Sequence, residues 1–423
     1  MIKKIVCFDP PYSNYFNDIS CEIENIIGCK IEKECFTFNK ANKIYLSDFN
    51  IFVPRVSDVD NVSIEDYLFV SKIKSLSNIT GSRGEDLDNI KSDILNYKVI
   101  EEYIVSNKES VFLLYNDLRW QHAFAIDILK RENLKYFVFE RGVFRPYSTT
   151  IDSKGVNANS RFCSFDVENN IVPECDKISI DDAFFVERRE RPSKIKFFYY
   201  FMLSAIYRFF YHEHTKISSK TPYRKNLANY ISLQAKILFE RKNSQSIDEI
   251  NVIDKDIIFV PLQLSNDTQT LINSSFRSTQ EFIDFVYKQY VDSEYYKSMQ
   301  LVFKMHPLDV DNYKFPPETI ITNENTLKMV SNSKICVTIN STVGFEAIPF
   351  CDVICLGKSF YTEHGLVNRP LPSHNIFSDT SAKGDFESYK YQVLQQYQVP
   401  GSVYNYQEQD VEYASNKIIN YII

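Results

Sequence analysis

The chain has 423 residues, of which 44% are apolar and 15% aromatic, and its formal net charge at pH 7 is -7. This length predicts two or three folded domains, and the acidic balance excludes proteins that bind nucleic acid through a basic surface. The cysteines stand singly, without a CxxC pair or a histidine at zinc spacing. They are typical of reduced cysteines in a cytoplasmic protein. Met1 leads directly into a strand-like run, so we expect no signal peptide.

Short apolar runs alternate with polar, helix-compatible stretches in the first third of the chain. These runs are IVCF near the start, IFVP at 51–54, VFLLYND at 111–117 and YFVFE at 136–140. Runs of this length, separated by helical lengths, predict a parallel sheet built from βαβ units. We therefore expect an N-terminal Rossmann-like domain over residues 1–185.

The segment FERGVFRP at 139–146 offers the one candidate for chemistry in this domain. Glu140 ends a predicted strand, and Gly142 allows the chain to turn sharply. A carboxylate in this position is able to act as a nucleophile or a general base. An ion pair of Glu140 with Arg141 or Arg145 at the turn is the alternative.

Residues 186–250 differ in composition and predict a helical linker. The run KIKFFYYFMLSAIYRFFYHEHTK is aromatic and basic. Its apolar part is shorter than the ~20 residues that span a bilayer, so it is not a transmembrane helix. Two alternatives stay open for 194–214, namely a helix in the membrane interface and a buried interdomain helix.

Five strand-like runs return late in the chain, at 256–263, 301–307, 319–323, 334–340 and 353–357. They predict a second Rossmann-like domain over 251–386, followed by a tail, 387–423, that packs back across the domains. The predicted fold class is α/β, with two doubly wound domains.

Polar residues follow three of these late runs, at the points where the predicted strands end. In a parallel sheet the carboxyl ends meet at one edge, where α/β folds bind ligands. Hydroxyl groups at a helix start favour phosphate, and a His-Pro pair adds a titratable donor. Together they predict a nucleotide-sugar donor site. The candidate residues are Gln263, Asn266, Asp267, His306, Pro307, Asn340, Ser341, Thr342, Gly344 and Glu346.

Each of these residues also has a structural explanation. A single histidine is commonly part of the fold, and serine or threonine before a helix is commonly an N-cap. The recurrence of polar groups at three strand ends favours the ligand site over three separate coincidences.

Several signatures of other enzyme classes are absent. The sequence has no GxxxxGK[ST], GxGxxG, HExxH or GxSxG motif, so ATPase, dehydrogenase and hydrolase functions lose their usual support. The DVD sequences at 58–60 and 309–311 are better explained as exposed acidic loops than as metal ligands, and we expect no metal.

Five sequence blocks, taken in order, carry a resemblance to a known family. They are FERGVFRPYSTTIDSKGVNANS at 139–160, LQLSNDTQTLINSS at 262–275, KMHPLD at 304–309, VTINSTVGFEA at 337–347 and GKSFYTEHGL at 357–366. As a set they resemble the capsule polysaccharide β-Kdo transferases of Gram-negative bacteria, in particular the single-module enzymes that begin the Kdo linker on a lipid. They are more distantly similar to bacterial sialyltransferases of the GT-B fold. The first ~110 residues match only in their predicted strand pattern.

The resemblance implies the GT-B fold, with a cleft between its two Rossmann-like domains. It implies CMP-Kdo as donor, His306, Ser341 and Thr342 as phosphate contacts, and a donor pocket lined by the candidate residues above. Glu140 and His306 would be catalytic, with retention of anomeric configuration. Arg141, Gly142 and Arg145 would bind the acceptor or the sugar carboxylate. No metal or cofactor is implied.

The implied partners are the CMP-sugar, a lipid acceptor such as phosphatidylglycerol or its lyso form, and other capsule biosynthesis proteins. The implied location is the cytoplasmic face of the inner membrane. One departure matters, because relatives carry two acids before the glycine where this chain has Glu140-Arg141. Asp152 is an alternative carboxylate. Another CMP-acid-sugar transferase, or an inactive subunit that binds CMP or glycan, are the alternative functions.

Overall fold

The computed structural model describes residues 2–54, 87–164, 173–188, 194–210, 255–264, 267–307, 309, 311–378, 382 and 384–422. The chain divides into two compact units, the first formed by Met1–Ser219 with Lys390–Ile423 and the second by Lys220–Tyr389. The first DVD sequence, Asn266 and the segment 211–250 of the predicted linker lie outside the described residues. The predicted fold class is confirmed, since each unit is built around a central sheet with parallel strands.

The first unit contains a seven-stranded sheet in the order β12-β6-β5-β4-β1-β2-β3. The strands are β1 (Lys4–Phe8), β2 (Glu32–Phe36), β3 (Asn50–Phe52), β4 (Ser110–Tyr115), β5 (Tyr136–Arg141), β6 (Ser148–Asp152) and, late in the chain, β12 (Gln398–Pro400). The helices are α1 (Tyr15–Ile27), α2 (Leu87–Val105), α3 (Trp120–Arg131), α4 (Glu174–Phe184), α5 (Lys194–Phe210) and α11 (Glu408–Ile422). Short 3-10 helices lie at Lys40–Ile44, Asn157–Asn159 and Arg161–Ser164, and a π-helix at Val393–Tyr397.

Both faces of this sheet are covered, which explains its nearly continuous apolar strands. In β1, Ile5 and Cys7 belong to a core with α1 and α11, whereas Val6 and Phe8 belong to a core with α2 and α3. Every residue of β4 is buried. The alternation along β1 places successive side chains in opposite cores.

The parallel sheet predicted for the first half is confirmed for β1 to β5, and one end of the sheet adds two antiparallel pairs. Strand β6 runs antiparallel to both β5 and β12. Its sequence, STTID, and the charged β2, EKECF, lack the apolar run that indicates a parallel strand. Both strands are fixed by their neighbours in the sheet, not by their own composition.

The division of the chain also differs from the predicted breaks at 185, 250 and 386. The first unit includes α5, where Asn39 donates to Tyr200 Oη at 3.0 Å and to Ser204 Oγ at 2.9 Å. It includes the last part of the chain as well, because β12 pairs with β6 and α11 packs against α1 through Ile418 and Ile19.

The second unit contains a five-stranded, wholly parallel sheet in the order β11-β10-β7-β8-β9. Its strands are β7 (Ile257–Pro261), β8 (Gln300–Lys304), β9 (Ile320–Thr322), β10 (Ile335–Thr338) and β11 (Asp352–Cys355), which confirms the five predicted strands. The helices in this part of the chain are α6 (Thr268–Asn273), α7 (Thr279–Val291), α8 (Thr326–Ser331), α9 (Thr342–Ala347) and α10 (Phe386–Gln392).

Helix α5 buries one face and exposes another. Tyr200 lies in a small core with Ala41 and Tyr45. Ile195, Phe198 and Tyr199 are 83%, 65% and 57% exposed. Within the described residues, no helix is both long and apolar enough to cross a membrane.

Candidate functional site

The carboxyl ends of the central strands in the second unit carry a connected set of amides. Gln263 follows β7 and its Nε2 donates to Asn340 Oδ1 at 3.0 Å and to Asp267 Oδ2 at 3.2 Å. The backbone N–H of Asn340, which follows β10, donates to Gln263 Oε1 at 3.3 Å. Asn340 Nδ2 donates to the carbonyls of Gln269 and Lys358. The predicted residues Gln263, Asp267 and Asn340 are therefore held together.

Ser341 begins α9 and caps it. Its Oγ accepts from the backbone N–H of Val343 at 3.2 Å, and its carbonyl accepts from Tyr361 Oη at 2.6 Å. The structural explanation, an N-cap, thus holds for the oxygen of Ser341. A hydroxyl also has one proton to donate, so the cap leaves this group able to bind an anion.

Glycine is required at position 344 because the structure has no room for a Cβ there. A Cβ at this position would lie 2.6 Å from Tyr361 Oη and 2.7 Å from Thr338 Cγ2, closer than real contacts allow. The glycine lets the first turn of α9 lie against the end of β10, with Thr342 half-buried at its start.

His306 and Pro307 follow β8, and His306 is half-buried while Pro307 is exposed. The His306 carbonyl accepts from the Asp309 backbone N–H at 2.9 Å. In the order β10-β7-β8 this strand end lies two strands from Asn340, or about 10 Å. Glu346 is exposed on α9. We call Gln263, Asp267, His306, Asn340, Ser341 and Thr342 the second-unit edge.

Glu140 lies near the end of β5 in the first unit. It accepts from Asn116 Nδ2 at 2.5 Å and from the Arg141 backbone N–H at 3.1 Å. Burial raises the pKa of Glu140, and the positive charges of Arg119 and Arg145 partly oppose this. Among the ion pairs of the described residues, none joins Glu140 to Arg141 or Arg145, so the alternative of a turn ion pair is not what the structure has.

The two arginines near Glu140 make different contacts. The Arg141 guanidinium lies over the ring of Tyr404, 4.9 Å from its centroid, and Arg145 Nε donates to the Gly142 carbonyl at 3.3 Å. A Cβ on Gly142 would lie 2.0 Å from Ser148 Oγ. Glycine is needed there because β5 and β6 approach closely.

Asp152, the alternative carboxylate, has a structural role. It is buried, and it accepts from the backbone N–H groups of Lys154, Gly155 and Arg161 at 2.7 to 3.2 Å. The Arg161 guanidinium lies 3.7 Å away. A carboxylate occupied in this way holds a turn together and has little capacity left for a substrate.

Sequence reasoning missed a group of polar residues directly after β4. Burial raises the pKa of Asp117 to about 6, and it lowers that of His122 to about 4. Asp117 Oδ2 accepts from the Val156 backbone N–H at 2.9 Å, whereas Asp117 Oδ1 is buried with no hydrogen-bond partner among the described residues. The available signal was NDLRWQH immediately after a wholly apolar run.

Asp9, which follows β1, was also missed. Its backbone adopts φ +23°, and Asn116 likewise has φ +72°. Positive φ is uncommon outside glycine and often marks a functional position. We call Asp9, Asn116, Asp117, His122 and Glu140 the first-unit edge.

In the part of the chain that the structure describes, no group of three or more histidine, cysteine or acidic residues is placed to hold a metal ion. In the second DVD sequence, Asp309 Oδ1 accepts from the Asp311 backbone N–H and Oδ2 accepts from Tyr313 Oη at 2.7 Å. These contacts make Asp309 part of a local turn.

Comparison with known proteins places the chain among capsule proteins. A family model described as "Capsule polysaccharide biosynthesis protein" matches residues 111–404, more than half of the chain. The capsule polysaccharide modification protein LipB of Neisseria meningitidis serogroup A is 23% identical over 300 residues, covering 64% of this chain and 68% of that protein. The capsule polysaccharide export protein KpsS of Escherichia coli is 23% identical over 274 residues, covering 60% and 68%.

Among solved structures, Thermosulfurimonas dismutans KpsC, described as a beta Kdo 2,7 transferase, is similar at 15% identity. That comparison covers 93% of this chain and 100% of the other, with a TM-score of 0.38. The family match begins at residue 111, in agreement with the resemblance, which rests on blocks after residue 138.

Proposed function

The chain belongs to the capsule polysaccharide biosynthesis protein family, and we propose that it is a retaining glycosyltransferase that transfers Kdo from CMP-Kdo to phosphatidylglycerol or its lyso form. This reaction would start the poly-Kdo linker of a capsular polysaccharide. The observation that carries the proposal is the second-unit edge, where three strand ends present amides, hydroxyls and an imidazole side by side.

The second-unit edge suits a nucleotide monophosphate. The Gln263–Asn340 pair fixes two strand ends relative to each other, so their polar atoms form a preorganised surface for the nucleotide. His306, Ser341 and Thr342 supply donors for a phosphate, and the start of α9 adds its dipole. Charge that develops on the departing CMP phosphate would be stabilised by these donors. The proposal includes no metal and no cofactor.

Glu140 is the proposed nucleophile. Retention requires two displacements, of which the first forms a covalent bond between a carboxylate and the anomeric carbon. Glu140 is held by Asn116 Nδ2 and the Arg141 backbone N–H, so its carboxylate has a fixed orientation. Burial reduces its hydration, and a poorly hydrated carboxylate is stabilised less in its free form than in the covalent intermediate.

A membrane surface is the proposed location, because the acceptor is a lipid. Helix α5 exposes Ile195, Phe198, Tyr199, Met202 and Ile206, which share one face at helical spacing. Exposed apolar side chains on one face of a helix suit insertion into a membrane interface on the cytoplasmic side, where other capsule assembly proteins would act on the product.

The direct experiment is to incubate the purified protein with freshly generated CMP-Kdo and a short-chain fluorescent phosphatidylglycerol, without added divalent metal. We expect release of CMP and a product heavier than the acceptor by one or more Kdo residues. The same reaction with CMP-sialic acid tests a transferase for another CMP-activated acid sugar. Absence of product with phosphatidylglycerol, its lyso form and a Kdo-terminated acceptor would contradict the proposal.

One observation favours a second function, an inactive subunit that binds CMP or glycan. The position where relatives have a second acid is Arg141, and its guanidinium lies over Tyr404. Such a subunit would bind CMP in calorimetry but release none from CMP-Kdo with any acceptor. Turnover of CMP-Kdo separates the two functions.

A further inference from the structure

We propose that Asp9 is the general base that deprotonates the acceptor hydroxyl, in the same unit as Glu140. This inference rests on the proposed function and names a second catalytic carboxylate. Asp9 is distinguished by its contacts and its backbone conformation, whereas FDPPY carries no motif of its own.

Asp9 lies at the same edge of the first sheet as Glu140. Strands β5, β4, β1 and β2 are consecutive neighbours. Glu140 lies near the end of β5, Asn116 and Asp117 follow β4, and Asp9 follows β1. Strands two apart are separated by about 10 Å. Asp9 and Glu140 therefore lie at the same edge of one sheet, two strands apart.

The contacts of Asp9 hold its carboxylate in one orientation. Thr37 Oγ1 and Asn42 Nδ2 donate to Asp9 Oδ1 at 2.5 and 2.9 Å, and Gln121 Nε2 donates to Oδ2. These donors come from the end of β2, from the 3-10 helix Lys40–Ile44 and from α3. All three are neutral.

These contacts leave acceptor capacity on one oxygen. An ionised carboxylate has about four acceptor positions, of which the described donors occupy two on Oδ1 and one on Oδ2. The residue is partly exposed, and the proposal assigns the remaining acceptor position on Oδ2 to the substrate hydroxyl. A general base needs this combination of fixed orientation and a vacant lone pair.

An independent observation indicates that a polar ligand belongs at this edge. His122 is 0% exposed, and its Nε2 has no hydrogen-bond partner among the described residues. Its Nδ1 lies 2.9 Å from the Asn116 carbonyl, which only accepts, so Nδ1 carries the proton and Nε2 offers a lone pair. Asp9 is close enough for its charge to act on the pKa of His122. An unpaired buried nitrogen is unfavourable, and a hydroxyl that donates to it would remove this cost.

The proposed reaction needs no reactant beyond CMP-Kdo, the acceptor and water. In the first displacement the bond from the anomeric carbon to the CMP phosphate breaks, its electron pair leaves with CMP, and a Glu140 oxygen bonds to the carbon. In the second, the acceptor O–H proton moves to Asp9 Oδ2 as the acceptor oxygen bonds to the anomeric carbon. The electron pair of the breaking bond returns to Glu140, and Asp9 then loses its proton to water.

Asp9→Asn tests the inference with little structural change. Asparagine tolerates positive φ, its oxygen accepts from Thr37 and Asn42, and Gln121 is able to turn its amide to accept from the new NH2 group. We expect transfer to phosphatidylglycerol to fall by about 100-fold or more, the range for loss of a general base, with CMP affinity and thermal unfolding unchanged. Asp48→Asn is the matched control, because Asp48 is an exposed carboxylate of the same unit that accepts from Asn17. It should transfer at the wild-type rate.

Asp9→Gly gives a second readout in case the asparagine variant does not fold. Glycine adopts φ +23° without strain, and the donors Thr37, Asn42 and Gln121 remain around the space of the missing carboxylate. We expect added formate to restore transfer by this variant at least tenfold, with no such effect on Asp48→Asn. A purely structural role would not produce this rescue.

Measurements on the wild type and on the Asp9 variants distinguish failure of the proposed function from failure of the proposed role of Asp9. If the wild type transfers no sugar, the proposed function and the proposed role of Asp9 are both contradicted. If the wild type transfers sugar and Asp9→Asn stays within about threefold of it, only the inference is overturned. Lack of formate rescue in a folded, inactive Asp9→Gly protein would also overturn it.

Discussion

The carboxyl edges of the two sheets are built from similar strands but different chemistry. The second-unit edge consists mainly of amides and hydroxyls that bond to one another, as in the contacts between Gln263 and Asn340. The first-unit edge includes Asp117, His122 and Glu140, whose pKa values are shifted by burial, and two of its buried atoms have no described partner. An edge whose polar groups are held by bonds to one another is suited to binding. An unsatisfied, titratable edge is suited to chemistry.

The largest effect expected from this difference concerns Glu140. Glu140→Gln keeps the side-chain shape but removes the nucleophile, so transfer from CMP-Kdo should fall by about 1000-fold or more. CMP affinity should stay within about twofold, because the second-unit edge is unchanged. Steady-state kinetics and calorimetry measure the two quantities. Glu109→Gln, an exposed glutamate paired with Lys3, should behave as the wild type, and a fully active Glu140→Gln protein would remove the distinction between the edges.

Asp117 predicts a dependence of stability on pH. Its pKa is about 6 in the folded protein against 3.8 for the ordinary group, so the unfolded chain binds fewer protons than the folded one between these values. Stability contributed by this group is therefore lost as pH rises from about 4 to 6, by up to about 3 kcal/mol. Urea unfolding of the wild type and Asp117→Asn at pH 4.5, 6 and 7.5 should show the wild type losing stability relative to the variant. Parallel curves would show that Asp117 does not titrate in this range.

A smaller effect is expected at the second-unit edge. Asn340→Ala removes the contacts to Gln263, Gln269 and Lys358, which position the strand end. CMP affinity in calorimetry should fall about tenfold, or about 1.4 kcal/mol, while the rate at saturating CMP-Kdo changes less. Asn332→Ala, at the exposed end of α8, is the control. A rate defect without loss of affinity would place chemistry at this edge as well.

The smallest expected effect concerns the exposed face of α5. Replacing Ile195, Phe198 and Tyr199 by serine should weaken binding to phosphatidylglycerol vesicles by about threefold or more, since partly exposed side chains insert only in part. CMP affinity should not change. A double variant with Leu327→Ser and Leu371→Ser, exposed apolar residues of the second unit, tests whether any loss of apolar surface has the same result. Equal weakening by both variants would contradict a specific role for α5.

The second unit was the easier one to predict from sequence. Its five parallel strands are continuous apolar runs, and the polar groups that follow them are visible in the printed sequence. The contacts among Gln263, Asp267 and Asn340 follow from the sheet order. The capping role of Ser341 was anticipated as an alternative, because local sequence determines a helix start.

The first unit was harder to predict from sequence, because contacts between residues far apart in the chain determine part of its structure. Strand β12 joins the sheet from far along the chain, and Gln398 Nε2 donates to Thr150 Oγ1 at 2.9 Å. No local pattern encodes such a contact. The shifted pKa values of Asp117 and His122 depend on burial by distant segments, and the strained backbone of Asp9 has no sequence signature. The family resemblance indicates Glu140 and does not include these residues.

The most direct test of the central claim is the anomeric configuration of the product formed from CMP-Kdo and phosphatidylglycerol, determined by NMR. The account predicts a β-linked Kdo, formed with retention through Glu140. An α-linked product would contradict the two-step mechanism, and the absence of any glycosylated lipid would contradict the transferase function itself.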